Sequence, residues 1–222
     1  MDILNFISWI KGGQYSSTIP SNAVTVVGVP NPNRDDKYLP VTVPVSALGG
    51  QTNIGKLLGG GIVVSEWDEN GVKKCLIASL TDLGTNLVWT VPAFQFGPRI
   101  GITAESVSNG FTNTNAIILQ TGAAPTTLYA AGAARLHNGG GYNDWYLPSM
   151  FELLACYNSS DIVNKVLGDT NGFCYCHYWS STEVPDIQGL DQAKTQSFVT
   201  GNQSNVLKGA DTKVRAVRIH TL

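Results

Sequence analysis

The sequence predicts an α+β fold preceded by an extended N-terminal arm. Three observations lead there. Two β-rich runs flank Asn70-Gly71, the dipeptide that most strongly signals a two-residue hairpin. Ser149 stands three residues before Glu152 at the start of an apolar-periodic run, the spacing of a helix capping box. The glycine run Gly139-Gly140-Gly141 leads into Trp145-Tyr146-Leu147-Pro148, and this block is answered by Tyr178-Trp179-Ser180-Ser181-Thr182-Glu183 and Val214-Arg215-Ala216-Val217-Arg218. Glycines force a tight turn, aromatics pin it, and the chain restarts as a helix.

Taken in order, Ile3, Phe6, Ile7 and Ile10 recur at helical spacing, with Asp2 as cap and Gly12-Gly13 as stop, so residues 1–11 predict a short helix. Ala23 to Val29 and Leu39 to Val45 are rich in β-branched residues and predict extended segments. Pro40 and Pro44 confine the second to an edge or a polyproline-like arm, and the arm is not expected to close on itself. The glycine-rich stretch Gly49 to Gly61 marks a boundary, giving residues 1–50 as the arm and 51–222 as the main domain. Gly61 to Trp67 and Lys73 to Leu80 form the hairpin. Asn115 to Leu136, interrupted at Gly122 to Pro125, and Ser149 to Cys156 predict helices; Asp161 to Leu167 adds one or two helical turns. From Tyr178 onward strands and loops are expected, closing on Lys213 to His220 with Val214, Ala216, Val217 and Ile219 buried.

Charged residues make up only 14% of the 222 residues, against roughly 25% in typical domains. Asn, Ser, Thr, Gln and Gly must therefore cover the surface, a leaning of β-rich extracellular and virion proteins. Lys and Arg are scattered and the net charge is -2, which argues against nucleic acid as the main ligand. The apolar runs are too short for membrane insertion, and Met1-Asp2-Ile3-Leu4 lacks the flank of a signal peptide, so synthesis in a cytoplasm is expected. Cys75, Cys156, Cys174 and Cys176 fit that compartment as free thiols, with a Cys75–Cys156 bridge left open.

Candidate chemistry is sparse. Gly50 to Lys56 has phosphate-loop spacing, but Leu57 replaces the magnesium-binding hydroxyl and Leu58 to Gly61 offers no helix N-terminus, so a linker is expected. Cys174-Tyr175-Cys176-His177, with Cys156 or His137 as a fourth group, is too closely spaced for a structural zinc site. His137, His177 and His220 stand apart from any nucleophile in an elbow-type frame. No catalytic residue, metal or cofactor is expected.

In their order and wording, the three blocks from Gly139 to Arg218 resemble the C-terminal domain of the Legionella collagen-like adhesin, over roughly Gly60 to Leu222. The resemblance implies a C-type-lectin-like domain, related to the formylglycine-generating-enzyme fold, with two helices and a twisted antiparallel sheet. The cysteine motif of those enzymes is not matched, so their activity is not carried over. C-type lectins hold calcium and sugar through acidic and amide oxygens, here Asn143, Asp144, Glu152, Asp161 and Glu183. The lectins' Glu-Pro-Asn, Gln-Pro-Asp and Trp-Asn-Asp triplets do not occur, so sugar contact is expected from aromatics rather than a metal. The candidate ligand-binding residues are Asn143, Asp144, Trp145, Trp179 and Glu183. Pro30 to Pro40 is similar to N-terminal arms of tailed-phage structural proteins. The expectation is a homotrimeric virion protein, as head fibre, capsid decoration or tail fibre. Residues 1–50 would bind other virion proteins, and the lectin-like domain would face host-surface glycans. A bacterial surface adhesin is the alternative, with an enzyme of the formylglycine-generating type behind it.

Overall fold

The computed structural model describes residues 23–30, 38–44, 52–185 and 191–222. They fall into two units, within Met1–Thr52 and Asn53–Leu222. The expected helix at residues 1–11 lies outside the described residues.

In the first unit, β1 (Ala23–Pro30) pairs antiparallel with β2 (Tyr38–Pro44), from Ala23 opposite Pro44 to Pro30 opposite Tyr38. The arm thus closes on itself, contrary to the sequence expectation. The prolines allow it because Pro40 and Pro44 are four residues apart. Their missing N–H groups fall on one side of the strand, and a two-stranded ribbon leaves one side of each strand unpaired.

The second unit is α+β, with two antiparallel sheets. One sheet runs β3 (Leu57–Leu58), β4 (Gly61–Glu69), β5 (Val72–Ala78) and β9 (Val217–Thr221) in that order. The other comprises β6 (His177–Glu183), β7 (Gln192–Ser197) and β8 (Gln203–Leu207). The expected hairpin is β4–β5, turning through Asn70 (φ 55°) and Gly71 (φ 82°). Both central residues need positive φ in this turn, which Asn and Gly tolerate best. No helix follows the Gly50 to Lys56 stretch; Leu57 instead enters β3.

Four helices stand among the described residues where the family resemblance implied two. Helix α1 (Gly110–Thr121) starts five residues before the expected Asn115, because the Asn109 side chain accepts from the Thr112 N–H as its cap. It ends at Gly122 in a left-handed conformation, and α2 (Ala130–Leu136) resumes beyond the break. Helix α3 (Met150–Asn158) carries the expected capping box from Ser149 and Glu152. Helix α4 (Ser160–Asn171) extends the expected one or two turns, breaking helical geometry at Gly168.

Apolar residues of β4 and β5 face both ways. Val63, Cys75 and Ile77 join Trp89, Ile117, Trp145 and Trp179 in one core; Ile62, Val64, Leu76 and Ala78 join Tyr146, Leu153, Tyr178 and Phe198 in another. A sheet covered on both faces reads as a continuous apolar run, as Gly61 to Val64 does. At the C-terminus, Val214, Ala216 and Val217 are buried as expected, but Ile219 is 41% exposed because β9 is the sheet edge.

Candidate functional site

The signature blocks meet inside the second unit. Tyr146 and Val217 exchange both backbone hydrogen bonds at 2.9 Å, which stitches the first block to the last. The Ser181 N–H donates to the Pro148 carbonyl at 2.7 Å, joining the second block to the first. Side chains satisfy the loop backbone that no sheet reaches. Thr182 Oγ1 accepts from the Met150 N–H and donates to the Ser106 carbonyl, and Thr114 Oγ1 accepts from the Leu147 N–H. Glu152 gathers the Ser149 N–H, the Ser149 hydroxyl, the Gly110 N–H and the Tyr146 hydroxyl. Burial and this carboxylate push the Tyr146 hydroxyl well above the usual tyrosine range.

Three of the five candidate ligand residues have no surface for a ligand to touch. Trp145, Trp179 and Glu183 are each 0% exposed. The Trp145 indole N–H donates to the Gly139 carbonyl at 3.2 Å, and that of Trp179 donates to the Leu87 carbonyl at 2.8 Å. Glu183 accepts from Lys208 Nζ and from the N–H groups of Ile100 and Gly101. Large apolar rings and a fully bonded carboxylate are held by the fold they close.

Asn143 and Asp144 are exposed beside one another. Asp144 is committed to Arg218, whose Nε and Nη2 donate to its two oxygens at 2.6 and 2.9 Å. The same guanidinium lies 3.8 Å from the centre of the Tyr142 ring. The hydrogen bond from Arg218 holds the Asp144 carboxyl below the usual aspartate value. A depressed folded value means that its stabilisation is present above the unfolded value and is lost as pH falls through the folded one. We therefore expect Asp144→Asn to lose less stability than the native chain on acidification below about pH 4. The Asp144 side chain is 46% exposed, so the difference should stay within about 1 kcal/mol, read from urea unfolding at pH 3 and pH 6.

The thiols are inert or paired. Cys174 and Cys176 form a disulfide, which corrects the reading of four free thiols: the step between them brings their Cα atoms to 5.4 Å, within bridging range. Cys75 and Cys156 are free and buried in opposite cores, so the alternative Cys75–Cys156 bridge is not made. Burial pushes the Cys156 thiol up to about 12 and raises Cys75. A thiol so held offers little thiolate to a substrate or metal. Among the described residues, no three His, Cys, Asp or Glu side chains gather as a metal site. His137 packs edge-on against Trp145, and burial holds its imidazole below the usual histidine value.

An open groove of about 370 Å³ lies where α3 crosses the edge of the first sheet. Its floor is one sheet face: Ser65 of β4 is opposite Leu76 of β5, which is opposite Ile219 of β9. Trp67 continues that face on β4, and Phe151, 57% exposed, forms the helical wall. The sequence reading missed this groove. Its signal was present in Ser65, Trp67 and Glu69, which alternate along one strand face, but nothing local to β4 shows that Phe151 stands across from them.

The sequence matches the family described as the Lcl C-terminal domain over residues 78–218, well over half of the chain. All three signature blocks fall within the match, whereas Ser65 and Trp67 of the groove precede it. No curated protein matches the chain. With the expected hairpin, the α3 cap and the mutual stitching of the three blocks in place, the chain belongs to the Lcl C-terminal domain family.

Proposed function

We propose that the protein is a non-enzymatic virion component of a tailed phage that attaches to host-surface glycans. Residues 1–50 anchor it to other capsid or tail proteins, and the second unit is displayed outward, as a homotrimer. The observation that carries the reading is membership of an adhesin-type domain family in a chain whose signature side chains are spent on holding loops rigid. A preorganised surface loses less entropy on binding than a mobile one. Ligand contact then falls to exposed groups, and the groove offers Trp67 and Phe151 as aromatic faces against which sugar C–H groups pack. Asn143 lies exposed at a second place.

The test is binding of the purified full chain to host cells and to a glycan array. Replacing both Trp67 and Phe151 by Ala should weaken binding about tenfold or more, as expected for aromatic hot spots. Undiminished binding would remove the groove from the reading, and no binding to any host surface would remove attachment. In parallel, a chain lacking residues 1–50 should fail to join particles; its assembly onto virions would show that the arm is not the anchor. A bacterial surface adhesin shares the same domain and is separated from the virion reading by whether the protein purifies with phage particles or with the cell envelope.

A further inference from the structure

Lys208 has an environment unlike that of any other described lysine. Its side chain is 0% exposed, with Nζ 2.5 Å from Glu183 Oε1, 4.0 Å from Asp191 Oδ1 and 5.1 Å from the Trp89 ring centre. Asp191 directly precedes β7 and Lys208 directly follows β8, so the two residues face each other across the open end of that hairpin. The Lys208 N–H donates to the Asp191 carbonyl at 2.9 Å, which holds the two backbones side by side. Glu183 is also 0% exposed, and its carboxylate is aimed by the N–H groups of Ile100 at 3.2 Å and Gly101 at 2.7 Å. A simple surface ion pair needs none of this enclosure.

We propose that Lys208 and Asp191 condense to an intramolecular isopeptide bond, with Glu183 as the proton carrier. A fully enclosed amine and a carboxyl held beside it by paired backbones have the proximity that makes condensation effectively unimolecular. A second carboxylate at hydrogen-bond distance from the amine supplies general acid–base help. Glu183 takes a proton from the Lys208 ammonium, and the freed Nζ lone pair attacks Asp191 Cγ to form the N–C bond. Glu183 carries that proton, and then a second from Nζ, to one Asp191 oxygen, which departs as water when its C–O bond breaks. Glu183 ends as the carboxylate it began as. One ammonium and one carboxylate have become one amide and one water, with no change of oxidation state. Asp191 is the partly exposed member, at 15%, so the water leaves on its side. The product ties together the two ends of the β7–β8 hairpin, which then resists peeling under load. The inference stands whether or not the protein serves in attachment.

Intact-mass spectrometry of the purified, folded full chain, under reducing conditions to open the Cys174–Cys176 bridge, tests it directly. The mass should fall below the sequence mass by one water, about 18 Da. Peptide mapping should find the segment holding Asp191 joined to that holding Lys208, with no tryptic cleavage after Lys208. Lys208→Arg, Asp191→Ala and Glu183→Gln should each restore the full sequence mass. A folded native chain at full mass would overturn the proposal without any variant. A cross-link mapped to Glu183 in place of Asp191 would equally overturn the assignment of roles.

Discussion

Arg215→Ala should destabilise the protein by about 3–5 kcal/mol, measured by urea unfolding against the native chain. Arg215 is 0% exposed. Its Nη1 donates to the carbonyls of Ser79 and Asn171, its Nη2 to those of Asn171 and Gly172, and it pairs with Asp82 at 2.9 Å. The guanidinium also lies 4.6 Å from the Phe173 ring centre. One side chain thus holds the exit of β5, the end of α4 and the Asp82 loop. Its removal takes the side-chain donor from three carbonyls and leaves the Asp82 carboxylate with no cation, held only by the Tyr178 hydroxyl, and a buried group that loses its partner costs more than its bond had contributed. Arg215→Lys should recover only part of the loss, since one ammonium cannot span a planar fork of acceptors.

The same variant should change how stability depends on pH. Burial already raises the Asp82 carboxyl above the usual aspartate value, while Arg215 and the Tyr178 hydroxyl pull it back. Removing Arg215 deletes the largest lowering influence, so the folded value rises further. A raised folded value contributes stability below the unfolded value and loses it as pH climbs through the folded one. Arg215→Ala should therefore compare less poorly with the native chain at pH 5 than at pH 8. An equal deficit at both values would show that Asp82 is not left buried.

Trp179→Ala should cost a similar amount, about 3–5 kcal/mol, the range for emptying a buried aromatic site. Trp179 reaches from β6 into the core beside Trp89, Trp145 and Val63, and its N–H satisfies the Leu87 carbonyl. Trp179→Phe separates the two contributions. It keeps most of the ring but removes one of the two hydrogen bonds at that carbonyl, which still accepts from the Thr212 N–H at 3.1 Å, so it should fall only about 0.5–1.5 kcal/mol below native, clearly above the alanine variant. Thermal unfolding of the three proteins side by side measures the gradation; equal losses would mean that only the indole shape matters.

Some elements were legible because their causes are local. Asn70-Gly71 specifies its turn through the backbone angles those two residues tolerate, and Ser149 with Glu152 specifies the start of α3 through groups three residues apart. The start of α1 was misread because Asn113 and Thr114 look like loop residues. Both are 0% exposed inside that helix, where Asn113 bonds the Ser106 carbonyl of the preceding loop and Thr114 the Leu147 carbonyl of a distant segment. The closure of the arm was missed for a related reason. A proline excludes one side of a strand, but which side a neighbour uses is not written in the proline.

The candidate residues divide along the same line. Taken by itself, the sequence determined the α+β class, the hairpin, the α3 cap and the family to which the three signature blocks belong, since these depend on residue types at fixed short spacings. Only the tertiary structure decided that Trp145, Trp179 and Glu183 face inward, that Phe151 stands across from Trp67, and that Lys208 sits between Glu183 and Asp191. Burial and side-chain neighbourhood depend on contacts between residues far apart in the chain. An aromatic or a carboxylate carries the same chemistry in either setting until packing assigns it to core or surface.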